Sequence, residues 1–337
     1  MRTLFLAGLL AATAFAATAA DYKAPRNAFG QPDLEGVWSN ASLTSLERGP
    51  QFKTLTITEA QAKAMESGRA RMMEAQSRPT DPNAPAPKAG QDPGGYNAFW
   101  TDPGTRMGRI RGEVRTSWLI DPADGRLPYK PEGYKLYQDT LNKARNTFDG
   151  PEARPLGERC ILGFGSTAGP PMMNVLYNNH YQLQQAKDHV VIVVEMNHDA
   201  RIIRLADKTR SPTHIRNWMG ESIGRWEGDT LVVETTGFNP GESLRPYFGA
   251  SLFLSPDARV TERFTRVSAD QILYAFEVDD PTVYKQVWKA EMPLNAAKGP
   301  VYEYACHEGN YSLPGILAGA RKAESEGRRP DAVDLAE

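Results

Sequence analysis

Ten consecutive residues near the C-terminal end, 301–310 with the sequence VYEYACHEGN, bring together a thiol, an imidazole, two carboxylates and two phenols. The chain holds five histidines and two cysteines, so His307 beside Cys306 concentrates scarce reactive groups. A histidine next to a carboxylate is an acid–base unit, and a tyrosine hydroxyl can protonate or stabilise a developing oxyanion. His307, Glu308 and Tyr304 therefore form one candidate catalytic set. The competing reading is a structural clasp, in which a disulfide and local hydrogen bonds satisfy an irregular segment.

A second set lies at 195–201, EMNHDAR, after an apolar run. Glu195 and Arg201 occupy positions that could pair across two strands, with His198 and Asp199 at the turn between them. Glu195 or His198 would serve as a general base, and Arg201 would clamp an anionic or carbonyl group. The plainer alternative is a turn that uses Asn and Asp for its geometry, beside a cross-strand ion pair. A third set, His214, Arg216, Trp218 and Glu221, falls in a long loop. Arginine and tryptophan together suit a planar or sugar-like ligand through stacking and bidentate bonds. The same tryptophan could instead pack the loop onto the body of the protein. Asp279, Asp280 and Tyr284 are a weaker fourth set, because Pro281 marks a turn there.

Other chemistries find no support. The five histidines and two cysteines show no His-x-His, His-x-x-x-His or Cys-x-x-Cys spacing, so no metal site is expected. A serine nucleophile elbow is not expected either, because the near miss at 163–166 lacks a strand–turn–helix setting. No glycine-rich phosphate loop is recognised and no cofactor is implied. A formal net charge of −2 with mixed charges gives no nucleic-acid surface and no polybasic membrane patch. The partner left is a small-molecule or glycoside substrate, and the sequence fixes no oligomeric state.

Residues 1–20 read as a secretory signal: Arg2 is the only charge, an apolar run follows, and small residues at 17–20 suit cleavage. The run falls short of the roughly 20 apolar residues that span a membrane. A periplasmic or secreted chain meets oxidising conditions, so Cys160 and Cys306 are expected to pair. The loop between them would contribute roughly 5 kcal/mol in the chain-entropy account. A catalytic thiol and a metal-bound thiol are the weaker readings of Cys306.

The elements that must carry these groups are mostly strands. A Gly-x-Trp at 36–38 opens the first strand, as in lipocalin-type barrels where the tryptophan closes one end. Helices are expected over 56–77, with Thr56 and Glu59 as a capping box, and over 131–146, behind Pro131. Residues 79–95 form a proline- and glycine-rich loop. Strands are expected at 115–121, 181–186, 189–195, 200–205, 225–226 with 230–236, 259–267, 271–278 and 283–292. Ile272, Tyr274, Phe276 and Val278 alternate onto one face. A short helix over 313–321 and a disordered tail over 326–337 end the chain.

Several segments carry a family resemblance: residues 217–238, Glu262 to Arg266, Val278 to Pro281, and 302–310. Across roughly residues 30–321 the chain resembles a large family of exported bacterial proteins that have no assigned reaction. The resemblance implies a predominantly antiparallel, barrel-like β fold and supplies no catalytic residues.

The expectation is a mainly β chain: a lipocalin-like barrel or sandwich with two or three peripheral helices, forming a single domain over 21–325. Functionally it reads as an exported, metal-independent acid–base enzyme, a lyase, isomerase or hydrolase. The alternative is a non-catalytic barrel that binds an amphiphilic small molecule.

Overall fold

The computed structural model describes residues 22–77, 83, 85, 101–163, 169–241 and 243–328. The leader 1–20, all of 79–95 except residues 83 and 85, and most of the expected tail lie outside the described residues. Fifteen strands occur among those residues: β1 Gly36–Ser39, β2 Thr56–Ile57, β3 Arg109–Ile110, β4 Glu113–Arg115, β5 Leu119–Asp121, β6 His180–Gln185, β7 His189–Val194, β8 Ala200–Arg204, β9 Glu221–Glu227, β10 Thr230–Thr236, β11 Leu244–Tyr247, β12 Ala250–Phe253, β13 Arg259–Arg266, β14 Gln271–Asp279 and β15 Trp288–Ala296. Three helices, α1 Glu59–Gln76, α2 Pro131–Asn146 and α3 Ser312–Ser325, accompany them.

Nine strands close into a barrel in the order β1, β6, β7, β8, β9, β10, β13, β14, β15 and back to β1. Every seam is antiparallel except β8–β9, which is parallel. β5 adds to the outer flank of β15. The alternation in the sequence is what turns one face of each strand inward. Ile272, Tyr274, Phe276 and Val278 of β14 are buried, as are Val190, Ile192 and Val194 of β7. With Trp38, Tyr181, Phe264, Trp288 and Met292 they belong to one continuous core, so the barrel interior is packed with side chains.

The two ends of the barrel differ. Three tight turns, at 186–188, 228–229 and 267–270, lie at one end, where residues 22–35 cross over them. Trp38 seals this end: its Nε1 donates to the Leu34 carbonyl at 2.9 Å, and the Arg266 guanidinium lies 5.4 Å from its ring centre. Gly36 has φ +137, a conformation that glycine adopts without strain, so the first residue of Gly-x-Trp serves the backbone. The opposite end receives the long excursions, including residues 40–179 between β1 and β6.

Several local expectations shift. The capping box of α1 uses Thr58 and Gln61, not Thr56 and Glu59. Thr56 pairs with Arg115 in a small three-stranded sheet, and Glu59 binds Arg109 at 2.7 and 2.8 Å. The single strand expected at 115–121 is two: Arg115 ends β4, and β5 begins after Trp118 is buried in the core. The strand expected from 283 starts at Trp288, because Val283 and Tyr284 form a turn closed on the Asp280 carbonyl. That turn also receives α2. A Cβ on Gly133 would lie 2.1 Å from the Val283 oxygen, so only glycine permits this approach. The β11–β12 hairpin was not anticipated, and α3 runs past its expected end at residue 321.

Candidate active site

The turn between β7 and β8 shapes the site. The inward alternation of β7 ends at Val194. Glu195 then takes an α-region backbone, and Asn197 and His198 both take positive φ, +59 and +47. Two such residues in succession make a tight turn, which Asn and His tolerate better than β-branched residues would. The Val194 amide closes it by donating to the Asp199 carbonyl at 2.8 Å.

This geometry separates Glu195 from Arg201, so the expected cross-strand pair does not form. Arg201 faces Ile192 in register, and its side chain enters the barrel. Glu195 turns instead toward His180 at the start of β6. His180 Nδ1 lies 2.9 Å from Glu195 Oε2, and the Tyr302 amide donates to Glu195 Oε1 at 3.2 Å. The hydrogen bond to Glu195 raises the His180 pKa against the opposing effect of burial. Burial pushes the Glu195 carboxyl up, but His180 and the Tyr302 amide more than offset this and hold it below the usual range. The imidazole stays partly open to solvent while its carboxylate is buried. That is the arrangement of an oriented acid–base histidine.

Inside the barrel, Arg201 donates to both oxygens of Glu262, at 3.1 and 2.6 Å, and to Ser222 Oγ at 3.3 Å. Ser222 Oγ lies 2.9 Å from Thr235 Oγ1. The Tyr274 hydroxyl donates to Glu262 at 2.7 Å and accepts from the Met172 amide at 3.0 Å. Burial works against the charge on Arg201, and the ion pair with Glu262 more than offsets it, so its pKa rises. Both charges are fully enclosed, which is tolerable only because they satisfy one another.

The parallel β8–β9 seam needs a chain return, and residues 205–220 supply it. Arg204 and Glu221 pin this crossover at 2.6 Å, and Glu221 also accepts from the Ser211 amide and hydroxyl. Between the crossover and the 195–199 turn opens a cleft of about 460 Å³. Its walls include Asp199, Arg201, Glu221, Ser222, Trp218 and Leu162. Asp199 is half-buried, and its Oδ2 is enclosed with no hydrogen-bond partner among the described residues. Burial pushes its pKa up to about 6, against a smaller opposing effect of His198. A carboxyl that exchanges its proton near neutrality can act as acid or base.

The candidate residues from the sequence divide. Arg201, Arg216 and Trp218 reach the cleft. Arg216 is held by Asp257 at 2.6 Å, and Trp218 packs with Leu156, Leu162 and Met219. His214 is exposed on the crossover, and His198 is exposed at the turn. His307 and Glu308 are exposed, and Tyr304 is half-buried against the core. Cys160 and Cys306 form the disulfide, with Cα atoms 5.7 Å apart. It ties Ile161 and Leu162, which line the cleft, to the strand of chain whose Tyr302 amide holds Glu195. Asp280 accepts from the Ser255 amide and hydroxyl, at 2.7 and 2.9 Å, within a buried turn.

His180 and Glu262 escaped the sequence reading. Glu262 alternates with Val260 and Phe264, so it could have been placed inward by periodicity. His180 carries no such signal, because its partner comes from strand register. The segment 220–224, GESIG, fits Gly-x-Ser-x-Gly. Ser222 nevertheless lies within β9, bonded to Thr235 and Arg201, and not at an exposed strand-to-helix turn. Among the described residues, no group of three or more His, Cys, Asp or Glu side chains is placed to hold a metal, and no helix is long and apolar enough to cross a membrane.

The fold and site define a mainly β protein with a closed nine-stranded barrel and a polar cleft beside its parallel seam. No family model matches the chain, and no curated protein or solved structure shows significant similarity to it.

Proposed function

We propose that this protein is an exported enzyme that uses side-chain acid–base chemistry in the cleft beside the β8–β9 seam. The observation that carries the reading is Asp199, a half-buried carboxyl with one oxygen unpartnered among the described residues and a pKa pushed up to about 6, in the same cleft as Arg201. Asp199 would accept or deliver the proton. Arg201 borders the same cleft, and its guanidinium, enclosed beside Glu262 inside the barrel, would hold that wall in place. Trp218 supplies a flat apolar wall. Elimination, isomerisation or hydrolysis of a small organic molecule or glycoside all use this set of roles.

The alternative, an amphiphile held inside the barrel, has less support because the interior positions are occupied by core side chains. Export rests on the leader sequence and is consistent with the disulfide. It is checked by the N-terminus of the protein recovered from the periplasm or medium.

The catalytic reading is tested by screening esters, glycosides, uronides and lactones for turnover, then comparing Asp199→Asn with the parent chain. General acid–base groups are worth about 10²- to 10⁴-fold in rate. Asp199→Asn should lose that much kcat/KM together with the limb of the pH profile near 6. A variant that keeps its rate and its pH profile sinks the proposal. Replacing His198 and His307 singly asks whether the two exposed imidazoles contribute.

A further inference from the structure

A second cleft, of about 1160 Å³, lies between the C-terminal half of α2, residues 149–159 and residues 240–246. Trp218 is a wall of both this cleft and the first. The chain from Leu156 to Gly163 runs along both: Leu156 to Arg159 and Gly163 face the second, Ile161 and Leu162 the first. The disulfide at Cys160 fixes the middle of this shared rim.

Sites for one drug-sized molecule run from roughly 300 to 1,000 Å³. The first cleft falls within that range, and the second alone exceeds it. Two adjoining clefts that share an indole suit a ligand with repeated units better than a compact one.

The chemistry of the second cleft points the same way. Arg159 is half-buried there, and its guanidinium has no partner among the described residues. Among the described residues Lys143, Arg145, Asp149 and Glu152 also have no ion-pair partner, while Arg154 is neutralised by Glu158 at 2.8 and 3.0 Å. Asn142, Asn146 and Thr140 add uncharged donors and acceptors. Planar polar side chains around an aromatic ring suit sugar hydroxyls and the apolar face of a pyranose.

We infer that the substrate is an oligosaccharide that spans both clefts, with one unit stacked on Trp218 and the distal units contacting Arg159. The inference rests on the proposed acid–base site, which it extends from one unit to a chain.

The test is isothermal titration of the full chain with sugars of one to six units from four series: cello-, xylo-, chito- and galacturonate oligomers. In at least one series affinity should rise tenfold or more between two and four units. Arg159→Ala should weaken the longer sugars at least fivefold and leave the disaccharide unchanged. Trp218→Ala should weaken every length. Affinity that is flat with length, or no binding of any hexamer at millimolar concentration, overturns the inference. The two claims fail separately: Asp199-dependent turnover with flat length dependence removes the extended site alone. Length-dependent binding with turnover indifferent to Asp199→Asn removes the proposed acid–base role alone.

Discussion

Arg201 and Glu262 meet in the centre of the barrel through two hydrogen bonds, of 2.6 and 3.1 Å, although three seams separate their strands. Arg201, a residue of the cleft wall, is therefore tied through the interior to a carboxylate on another strand. The cleft inherits the rigidity of the core.

Removing one partner of this pair leaves a buried charge without compensation, which typically costs 3–5 kcal/mol. Arg201→Met should lower unfolding stability by about that much in urea titration. The double variant Arg201→Met with Glu262→Leu should recover a large part of the loss, because neither charge then remains enclosed.

The His180–Glu195 pair sets a pH window. The raised His180 contributes fully below its unfolded value of 6.5, and the contribution fades as pH rises through its higher folded value. The lowered Glu195 contributes fully above 4.5, and the contribution fades as pH falls through its lower folded value. Stability from the pair is therefore fullest between these two pH values and declines on either side. Glu195→Gln should flatten the curve of denaturation midpoint against pH between 4 and 9. An unchanged curve would show that the pair does not contribute.

Asp199 acts with the opposite sign. Its folded pKa near 6 lies above its ordinary 3.8, so the native state holds the proton more tightly than the unfolded chain. Ionisation above pH 6 opposes folding, and this effect fades as pH falls toward 4. Asp199→Asn should melt higher than the parent chain at pH 8 and match it at pH 4. Calorimetry at the two pH values reads the difference.

The disulfide should matter to both stability and the dyad. Opening a loop of this length costs up to about 5 kcal/mol in the chain-entropy account. Cys160→Ser with Cys306→Ser also frees the segment whose Tyr302 amide bonds to Glu195. The His180 titration should then change, which NMR of the imidazole protons would follow. A His180 titration identical to the parent's would show that the tether does not hold the dyad.

Much of the barrel could be read from the chain because its signals are local. Tyr274 and Phe276 declare their face by alternation, and Pro131 marks the start of α2. The pairing of Cys160 with Cys306 was expected from their number and from the leader-like sequence at 1–20. Contacts set by register were not readable. His180 meets Glu195 because β6 and β7 align Tyr181 with Val194, and no periodicity reveals that alignment. The hairpin of β11 and β12 was hidden because Pro246 argues against a strand, although it sits in a short two-stranded ribbon where a missing amide is tolerated. Asp199 looked like a turn residue, which it is. Its pKa depends on what the crossover and the disulfide segment bury around it.

The odd strand number has a consequence of parity. Passing once around a closed ring, strand direction must return to its starting sense, which alternating neighbours achieve only when their number is even. Nine strands therefore oblige an odd number of parallel seams, and this barrel has one, β8–β9. A parallel seam obliges the chain to travel the height of the barrel before it re-enters. Residues 205–220 make that journey, and Trp218, Glu221 and the cleft lie where it ends. The site occupies the one place around the wall where counting alone requires an outer layer of chain.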